Sequence, residues 1–118
     1  MAIRVKRVYE SPSPVDGYRV LVDRVWLRGL TKERAAADVW LRDIGPSTEL
    51  RTWYGHAVER WPESRERYRA ELAARPAAMD ELRALVSEHE TVTLLFDAKD
   101  EEHNQAVVLA ELLSEVYL

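Results

Sequence analysis

The sequence predicts a small single-domain α/β protein with a mixed, mostly parallel sheet of three to four strands flanked by helices. Residues 91–96 form the clearest strand, and its second half is apolar on both faces, as in a strand covered on both sides. Segments with helical spacing of apolar residues separate the strand-like segments. A length of 118 residues suits one core and leaves no room for two. We therefore treat residues 1–118 as one domain.

Three other segments are candidates for strands. Residues 3–9 alternate apolar and basic side chains, which predicts a half-exposed strand. Residues 11–17 are rich in Ser and Pro and predict a loop. Residues 18–23 are apolar on both faces and predict a more central strand. Residues 40–41 with Ile44 fit either a strand or an extended segment.

Four helices follow from cap residues and prolines. Thr31 is the predicted N-cap of a short helix through Ala37, and Pro46-Ser47 opens a second helix that Gly55 ends. The third helix, 63–74, follows Pro62. Pro76 opens the fourth, which has apolar residues at helical spacing: Met79, Leu82, Leu85 and Val86.

The last helix is predicted to begin at Asp100 as its N-cap. Glu101 and Glu102 would then complement the positive end of the helix dipole. Its apolar residues form a stripe that should be buried: Ala106, Val107, Leu109, Ala110, Leu113 and Val116.

Composition excludes several classes of function. The chain has no cysteine, so disulfides, thiolate metal sites and cysteine nucleophiles are excluded. The formal net charge of −4 argues against nucleic acid as a partner, because non-specific binding to nucleic acid relies on neutralising phosphates. There is no secretory or membrane-spanning run, which predicts no membrane partner and a cytoplasmic location.

Aromatic residues, arginines and a histidine cluster in two short segments. Residues 53–56 read Trp-Tyr-Gly-His and are followed by Arg60-Trp61, while residues 23–29 contain Trp26 between two arginines. Arginine supplies a planar, permanently charged fork, and tryptophan supplies a flat apolar face. Together they predict a site for a planar anionic small molecule. The alternative is that the aromatic side chains only fill the core and the arginines pair with acids.

Two further polar segments follow the second and last strands. In open α/β sheets, ligands bind at the carboxyl ends of the strands. If the two strands are parallel, one rim of the sheet carries Arg24, Arg28, Lys99, His103 and Asn104. The alternative is that Asp97 and Asp100 only cap the last helix and that His103 is solvated in its first turn.

Other chemistries have weak support. His56, His89 and His103 lack the spacing of a helical zinc site, although a cluster in space with Asp97 stays open. His89 lies in a polar helix end and is predicted to be on the surface. No nucleophile elbow or phosphate-binding P-loop occurs. Paired carboxylates at Asp97 and Asp100 could do acid–base work, but acidic loops of this kind are common.

Several stretches together resemble the YeaO-like group of a family known as a domain of unknown function, DUF488. They are Gly-Tyr-Arg-Val-Leu-Val-Asp-Arg at 17–24, Trp26 with Arg-Gly-Leu at 28–30, Trp-Leu-Arg-Asp-Ile at 40–44 with Pro-Ser at 46–47, Trp-Tyr-Gly-His at 53–56, and 99–109. The chain departs from the family pattern at Leu27, Ala57 and 96–97. The resemblance implies a compact α/β protein of the bacterial or archaeal cytoplasm and no particular activity.

The first hypothesis for function is the binding of a haem-like tetrapyrrole. His56 would be the axial ligand, which makes it the only metal-ligating candidate. Arg24, Arg28 and Arg60 would bind the propionates. The walls would be aromatic: Trp26, Trp53, Tyr54 and Trp61.

Two alternatives stay open. In one, the chain is an enzyme acting on a phosphorylated or nucleotide-like substrate, with Arg24 and Arg28 holding phosphate and His56 or His103 acting as general acid or base. In the other, it is a non-catalytic homo-oligomeric module whose exposed tryptophans, such as Trp61, form the interface.

Overall fold

The structure is a computed structural model that describes residues 2–117. For residues 116 and 117 it describes the backbone alone. Strands β1 (Ala2–Arg7), β2 (Tyr18–Leu21), β3 (Val39–Trp40) and β4 (Thr91–Phe96) form one sheet in the order β1-β4-β2-β3. Every pairing in this sheet is parallel. The predicted small α/β domain is therefore confirmed, and its sheet is parallel throughout rather than mixed.

The chain segments that follow β2 and β4 run towards opposite edges of the sheet. After β2 the chain moves to β3 at one edge, whereas after β4 it enters a helix that packs against β1 and β4. The carboxyl ends of β2 and β4 are neighbours, because Leu21 pairs with Leu95. A crevice is expected at such a point, where two parallel strands send their connections apart.

Among residues 2–117, five α-helices accompany the sheet, and the first two of them show the predicted caps. The side chain of Thr31 accepts from Arg34 N, the side chain of Ser47 accepts from Leu50 N, and Gly55 ends its helix in the left-handed conformation with φ 51°. The helices are α1 (Lys32–Ala35), α2 (Thr48–Tyr54), α3 (Trp61–Ala74), α4 (Pro76–Glu88) and α5 (Gln105–Tyr117).

Some boundaries differ from the sequence predictions. The first two strands end at Arg7 and Leu21, two residues early, and α1 ends at Ala35 because Ala36 is left-handed, with φ 48°. The prediction that Asp100 caps the last helix is wrong. Asn104 Oδ1 accepts from Val107 N and caps α5 instead.

The core has two parts on opposite faces of the sheet. On one face, β2 and β4 pack against α2 to α5 through residues such as Val20, Leu94 and Phe96. The predicted stripes of α4 and α5 lie in or against this core, apart from Val107, which is only partly buried, and Val116, whose side chain lies outside the described part. The opposite face carries a smaller cluster that includes Leu21 and Leu95.

The second face also buries a small ionic network. The Asp16 carboxylate binds Arg19 Nη1 at 2.5 Å and Lys6 Nζ at 3.1 Å. Arg19 in turn donates to the carbonyls of Ala35 and Ala36, each at 2.9 Å, and so holds the end of α1 against β2. Within residues 2–117, no helix is long and apolar enough to cross a membrane.

Candidate functional site

A cavity of about 700 Å³ opens at the carboxyl ends of β2 and β4. The segment after β2 contributes Asp23 to its lining, and the segment after β4 contributes Asp97. Since both strands are parallel neighbours, the two segments meet at one edge of the sheet. The cavity therefore occupies the position that the strand connections favour.

Helices close the remaining sides of the cavity. Along α3, four lining residues repeat at helical spacing: Trp61, Ser64, Arg65 and Tyr68. Gln105 and Val108 do the same along α5, whereas the short helix α2 contributes residues from most of its length: Thr48, Leu50, Arg51, Thr52 and Tyr54. Ser64 and Tyr68 are buried, so the wall formed by α3 is continuous with the core.

One wall is a row of aromatic rings. The centroid of Tyr54 lies 6.5 Å from that of His56 and 5.6 Å from that of Trp61. Trp61 in turn meets His103 edge-on at 5.4 Å. Trp26 also lines the cavity, and its indole N–H donates to the carbonyl of Leu30 at 2.9 Å. Such a wall presents flat apolar surface to a planar ligand.

The charged lining is mainly cationic. It includes Arg24, Arg28, Arg51 and Arg65, against Asp23 and Asp97, a surplus of two positive charges in a chain of net charge −4. Arg65 is already paired with Glu111, Nη2 to Oε2 at 2.5 Å. Arg28 and Arg51 take part in none of the ion pairs among the described residues. Their guanidinium groups are therefore available to an anion.

Arg24 lines the cavity but has a second role that the sequence did not indicate. Its Nε donates to the carbonyl of Pro46 at 2.9 Å, and its Nη2 donates to that of Gly45 at 2.8 Å. Both acceptors lie in the loop that leads into α2. The side chain therefore fixes this loop beside β2, which leaves fewer of its donors for a ligand.

Asp23 is held firmly between the two strand ends. Its Oδ1 accepts from Asp97 N at 3.3 Å and from the Gln105 amide. Burial, and then repulsion from the Asp97 carboxylate, raise the pKa of Asp23 to about 6. The backbone of Asp23 is held as well, because Trp40 Nε1 donates to the Asp23 carbonyl at 2.6 Å.

His103 forms a pair with Asp100 and is only half exposed. Its Nδ1 lies 2.8 Å from Asp100 Oδ2, and its backbone N donates to Asp100 Oδ1 at 3.1 Å. The hydrogen bond from His103 holds the pKa of the Asp100 carboxyl below its ordinary value. The alternative prediction, a solvated His103 in the first turn of α5, is therefore wrong. Its Nε2 is the nitrogen left for a ligand.

His56 lies at the rim of the same cavity. The residue follows Gly55 and also adopts the left-handed conformation, with φ 61°, which is unfavourable for a residue with a Cβ atom. Its side chain is exposed while it lines the cavity. The position just beyond the C-terminus of α2 is as predicted.

The cavity collects most of the predicted site residues. Trp53, Arg60 and Lys99 are the predicted residues that do not line it. The guanidinium groups of Arg67 and Arg60 lie over the ring of Trp53 instead, 4.2 Å and 5.3 Å from its centroid. Those that do line it are Arg24, Trp26, Arg28, Tyr54, His56, Trp61, His103 and Asn104.

Asn104 lines the cavity, but both ends of its side-chain amide already form hydrogen bonds within the protein. Besides capping α5, its Nδ2 donates to the carbonyl of Asp100 at 3.0 Å. Asp23, Arg51, Arg65 and Gln105 were not predicted as site residues. Trp61 and Arg65 are four residues apart on one helix, and this spacing could have predicted that Arg65 lines the cavity beside Trp61.

The histidines do not gather into a cluster that could hold a metal ion with protein ligands alone. Among the described residues, no group of three or more His, Cys, Asp or Glu side chains is placed to hold a metal ion. The cluster of histidines with Asp97 is therefore not formed. His89 was predicted to be on the surface; it is half-buried there and stacks on Tyr18, with ring centroids 3.9 Å apart, at the amino ends of β2 and β4.

The fold and the cavity define a small α/β protein with a cation-lined pocket at the ends of its parallel strands. The family model described as "Inactive DUF488-N3 subclade" matches residues 2–118. The chain belongs to this family, DUF488, and to its YeaO-like group.

Two relatives show how closely the group is matched. "Uncharacterized protein YeaO" of Escherichia coli is 43% identical over 113 residues, which cover 96% of this chain and 97% of the relative. "Uncharacterized protein Rv3073c" of Mycobacterium tuberculosis is 44% identical over 112 residues, which cover 95% and 93%. No solved structure matches the chain.

Proposed function

We propose that this protein binds a planar anionic small molecule in the cavity, and that a phosphorylated aromatic compound such as a nucleotide fits best. One observation carries the proposal. Arg28 and Arg51, which have no ion-pair partner among the described residues, share one cavity with the rings of Trp26, Tyr54 and Trp61. Guanidinium groups bind phosphate through paired N–H groups, and aromatic rings stack on a base.

The description of the subclade as inactive favours binding without turnover. The net charge supports a small ligand over a polymer. A nucleic acid would meet a chain of charge −4, whereas a mononucleotide enters a lining with a surplus of cations. The volume of about 700 Å³ lies within the range of small-molecule sites, roughly 300–1,000 Å³.

Thermal unfolding with AMP, adenosine and inorganic phosphate tests the proposal. We expect AMP to raise Tm more than either fragment, because only AMP offers both a ring and a phosphate. Arg51→Gln should weaken AMP binding roughly 10- to 100-fold, since a hydrogen bond to a charged group contributes about 1.5–3 kcal/mol. Arg34→Gln, on exposed α1 and outside the cavity, is the matched control.

The result that would refute the proposal is equally clear. If AMP binds wild type, Arg51→Gln and Arg28→Gln with the same affinity, the phosphate is not held by the arginines of this cavity. If no anionic aromatic compound raises Tm beyond the shift given by inorganic phosphate, the cavity is not a site for planar anions.

The tetrapyrrole stays a specific prediction within the same class. His56 and Arg28 line the cavity, but Trp53 and Arg60, which were assigned to the macrocycle and a propionate, lie outside it. A hemin titration followed in the Soret region tests it. We expect His56→Ala to shift the band and weaken binding if His56 is the axial ligand; an unchanged titration would exclude that role.

A second candidate is acid–base catalysis on the same ligand class. It is favoured by the Asp100–His103 pair and by Asp23, whose pKa of about 6 lies near working pH. Incubation with AMP and p-nitrophenyl phosphate, with product detection, tests this candidate. We expect turnover lost in His103→Ala; turnover absent from wild type, or unchanged in the variant, would exclude it.

A homo-oligomeric module has less support from the side-chain positions. All four tryptophans are partly buried rather than exposed, so they do not form the open apolar face that the hypothesis assumed. Light scattering of wild type beside Trp61→Ala still tests it, and a monomer at high concentration would exclude it.

A further inference from the structure

We propose that the ligand carries hydroxyl groups, as the ribose of a nucleotide does, and that the Asp23 carboxylate selects it by accepting their hydrogen bonds. The inference rests on the proposed function, because it names a second feature of the same ligand. It assigns to Asp23 a role in specificity.

The first step is that Asp23 is a fixed group. Its carbonyl accepts from Trp40 Nε1 at 2.6 Å, and its Oδ1 accepts from Asp97 N and from the Gln105 amide. These donors come from β3, from the segment after β4 and from α5. A carboxylate held from three elements loses little further freedom when a ligand binds.

The second step concerns the other oxygen. Both hydrogen bonds made to this carboxylate within the described residues go to Oδ1, and the residue lines the cavity. An ionised carboxylate has about four acceptor positions on its two oxygens. Oδ2 is thus the oxygen that can accept from a ligand.

The third step is that no protein cation neutralises Asp23. It takes part in none of the ion pairs of the described residues, although Arg51 lies close enough to favour its ionised form. Its pKa of about 6 leaves it ionised at neutral pH, when it can only accept hydrogen bonds. A partly buried carboxylate in this state is stabilised by any donor that a ligand brings.

The fourth step selects the kind of donor. A metal ion has no supporting cluster in the described residues, and an ammonium group on the ligand would be repelled by Arg28 and Arg51 in the same cavity. A hydroxyl group donates without adding positive charge. A ligand with an anionic end for the arginines and hydroxyl groups for Asp23 meets both requirements, and recognition of a ribose by an acidic side chain follows the same chemistry.

Calorimetric titration with AMP, 2′-deoxy-AMP and 2′,3′-dideoxy-AMP tests the inference. The three share ring and phosphate and differ only in hydroxyl groups. We expect wild type to bind AMP at least tenfold more tightly than the dideoxy compound. Asp23→Asn should reduce that ratio to less than about threefold, because the amide keeps the acceptor at Oδ1 but replaces Oδ2 with a donor. Asp80→Asn, exposed on α4, is the control and should keep the wild-type ratio.

The outcomes separate the inference from the proposed function. Equal affinity of wild type for the three nucleotides would overturn the inference and leave the proposed function standing. Discrimination that persists in a folded Asp23→Asn variant would overturn the role of Asp23. If none of the nucleotides binds, this inference fails, and the AMP result of the proposed function fails with it. The wild-type comparison needs no variant, so a poorly folded Asp23→Asn protein cannot obscure it.

Discussion

Asp16→Ala should destabilise the fold far more than a chemically identical change on the surface. Asp16 and Arg19 form an ion pair three residues apart, as do Asp80 and Arg83. In the first pair the side chains are 1% and 6% exposed, with an N–O distance of 2.5 Å. In the second the aspartate is 73% exposed and the distance is 3.7 Å. The two pairs join the same residue types at the same spacing, but they differ in burial, in N–O distance and in the further hydrogen bonds that Asp16 accepts from Lys6 and Ser13 N.

Removing the buried carboxylate leaves the Arg19 guanidinium without its counter-charge. Breaking a buried ion pair from one side costs about 3–5 kcal/mol. Arg19 keeps its bonds to two backbone carbonyls, so we expect the lower end, about 3 kcal/mol. At about 4 °C per kcal/mol for a domain of this size, Tm should fall by roughly 12 °C. Asp80→Ala should stay within about 0.5 kcal/mol.

The stability lost in Asp16→Ala should also depend on pH, in a direction that the pKa of Asp16 determines. Burial of Asp16 opposes ionisation, but hydrogen bonds from Ser13 N, Lys6 and Arg19 outweigh it and lower the pKa of the folded state. A lowered pKa means that the carboxylate stabilises the fold above its unfolded value of about 3.9, and that this contribution is lost as pH falls through the folded value. The gap between wild type and Asp16→Ala should therefore shrink from pH 7 to pH 3.

Urea unfolding followed by tryptophan fluorescence measures both effects. Wild type, Asp16→Ala and Asp80→Ala should be compared at pH 7 and at pH 3. Equal losses in the two variants at pH 7 would refute the reasoning from burial. A gap between wild type and Asp16→Ala that widens at pH 3 would refute the pKa direction.

Two further predictions concern the walls of the cavity and the sheet. Tyr68→Phe removes the hydroxyl that donates to the Ile44 carbonyl at 2.6 Å, and unfolding in urea should show a loss of about 1–2 kcal/mol; wild-type stability would contradict it. In Gly17→Ala, with φ 64°, the new Cβ would lie 2.3 Å from Thr91 O. Gly29→Ala, with φ 73° and open space, should cost only the backbone strain of about 1 kcal/mol, so Gly17→Ala should melt clearly lower; equal Tm values would refute the contact.

The features that the sequence predicted well depend on local chemistry. Ser47 caps α2 because a hydroxyl before a helix can satisfy its first N–H groups, and Gly55 ends it because a left-handed residue favours glycine. The apolar strand at 91–96 needed no partner to be recognised. Placing Arg24 and His103 on one rim followed from parallel strands alone.

The features that it missed depend on contacts between distant segments. Trp53 and Tyr54 are adjacent in sequence, but neighbouring residues on an α-helix point about 100° apart. Only Tyr54 faces the cavity, while Trp53 lies under Arg67. Asp100 and Asn104 are both good capping residues, but α5 begins only at Gln105, so Asn104 caps it while Asp100 holds the preceding turn and pairs with His103.

The distribution of charge is compatible with the proposed binding of a small anion by an acidic chain. Electrostatic interactions in physiological salt fade over about 8 Å, so a ligand inside the cavity responds to Arg28 and Arg51 and little to the acids on the far surface. A polyanion that cannot enter responds instead to the whole molecule, whose charge is −4. Under the proposed function, the cavity would therefore discriminate by size as well as by charge. Only an anion small enough to enter would meet both the arginines and Asp23, which lies between the strand ends.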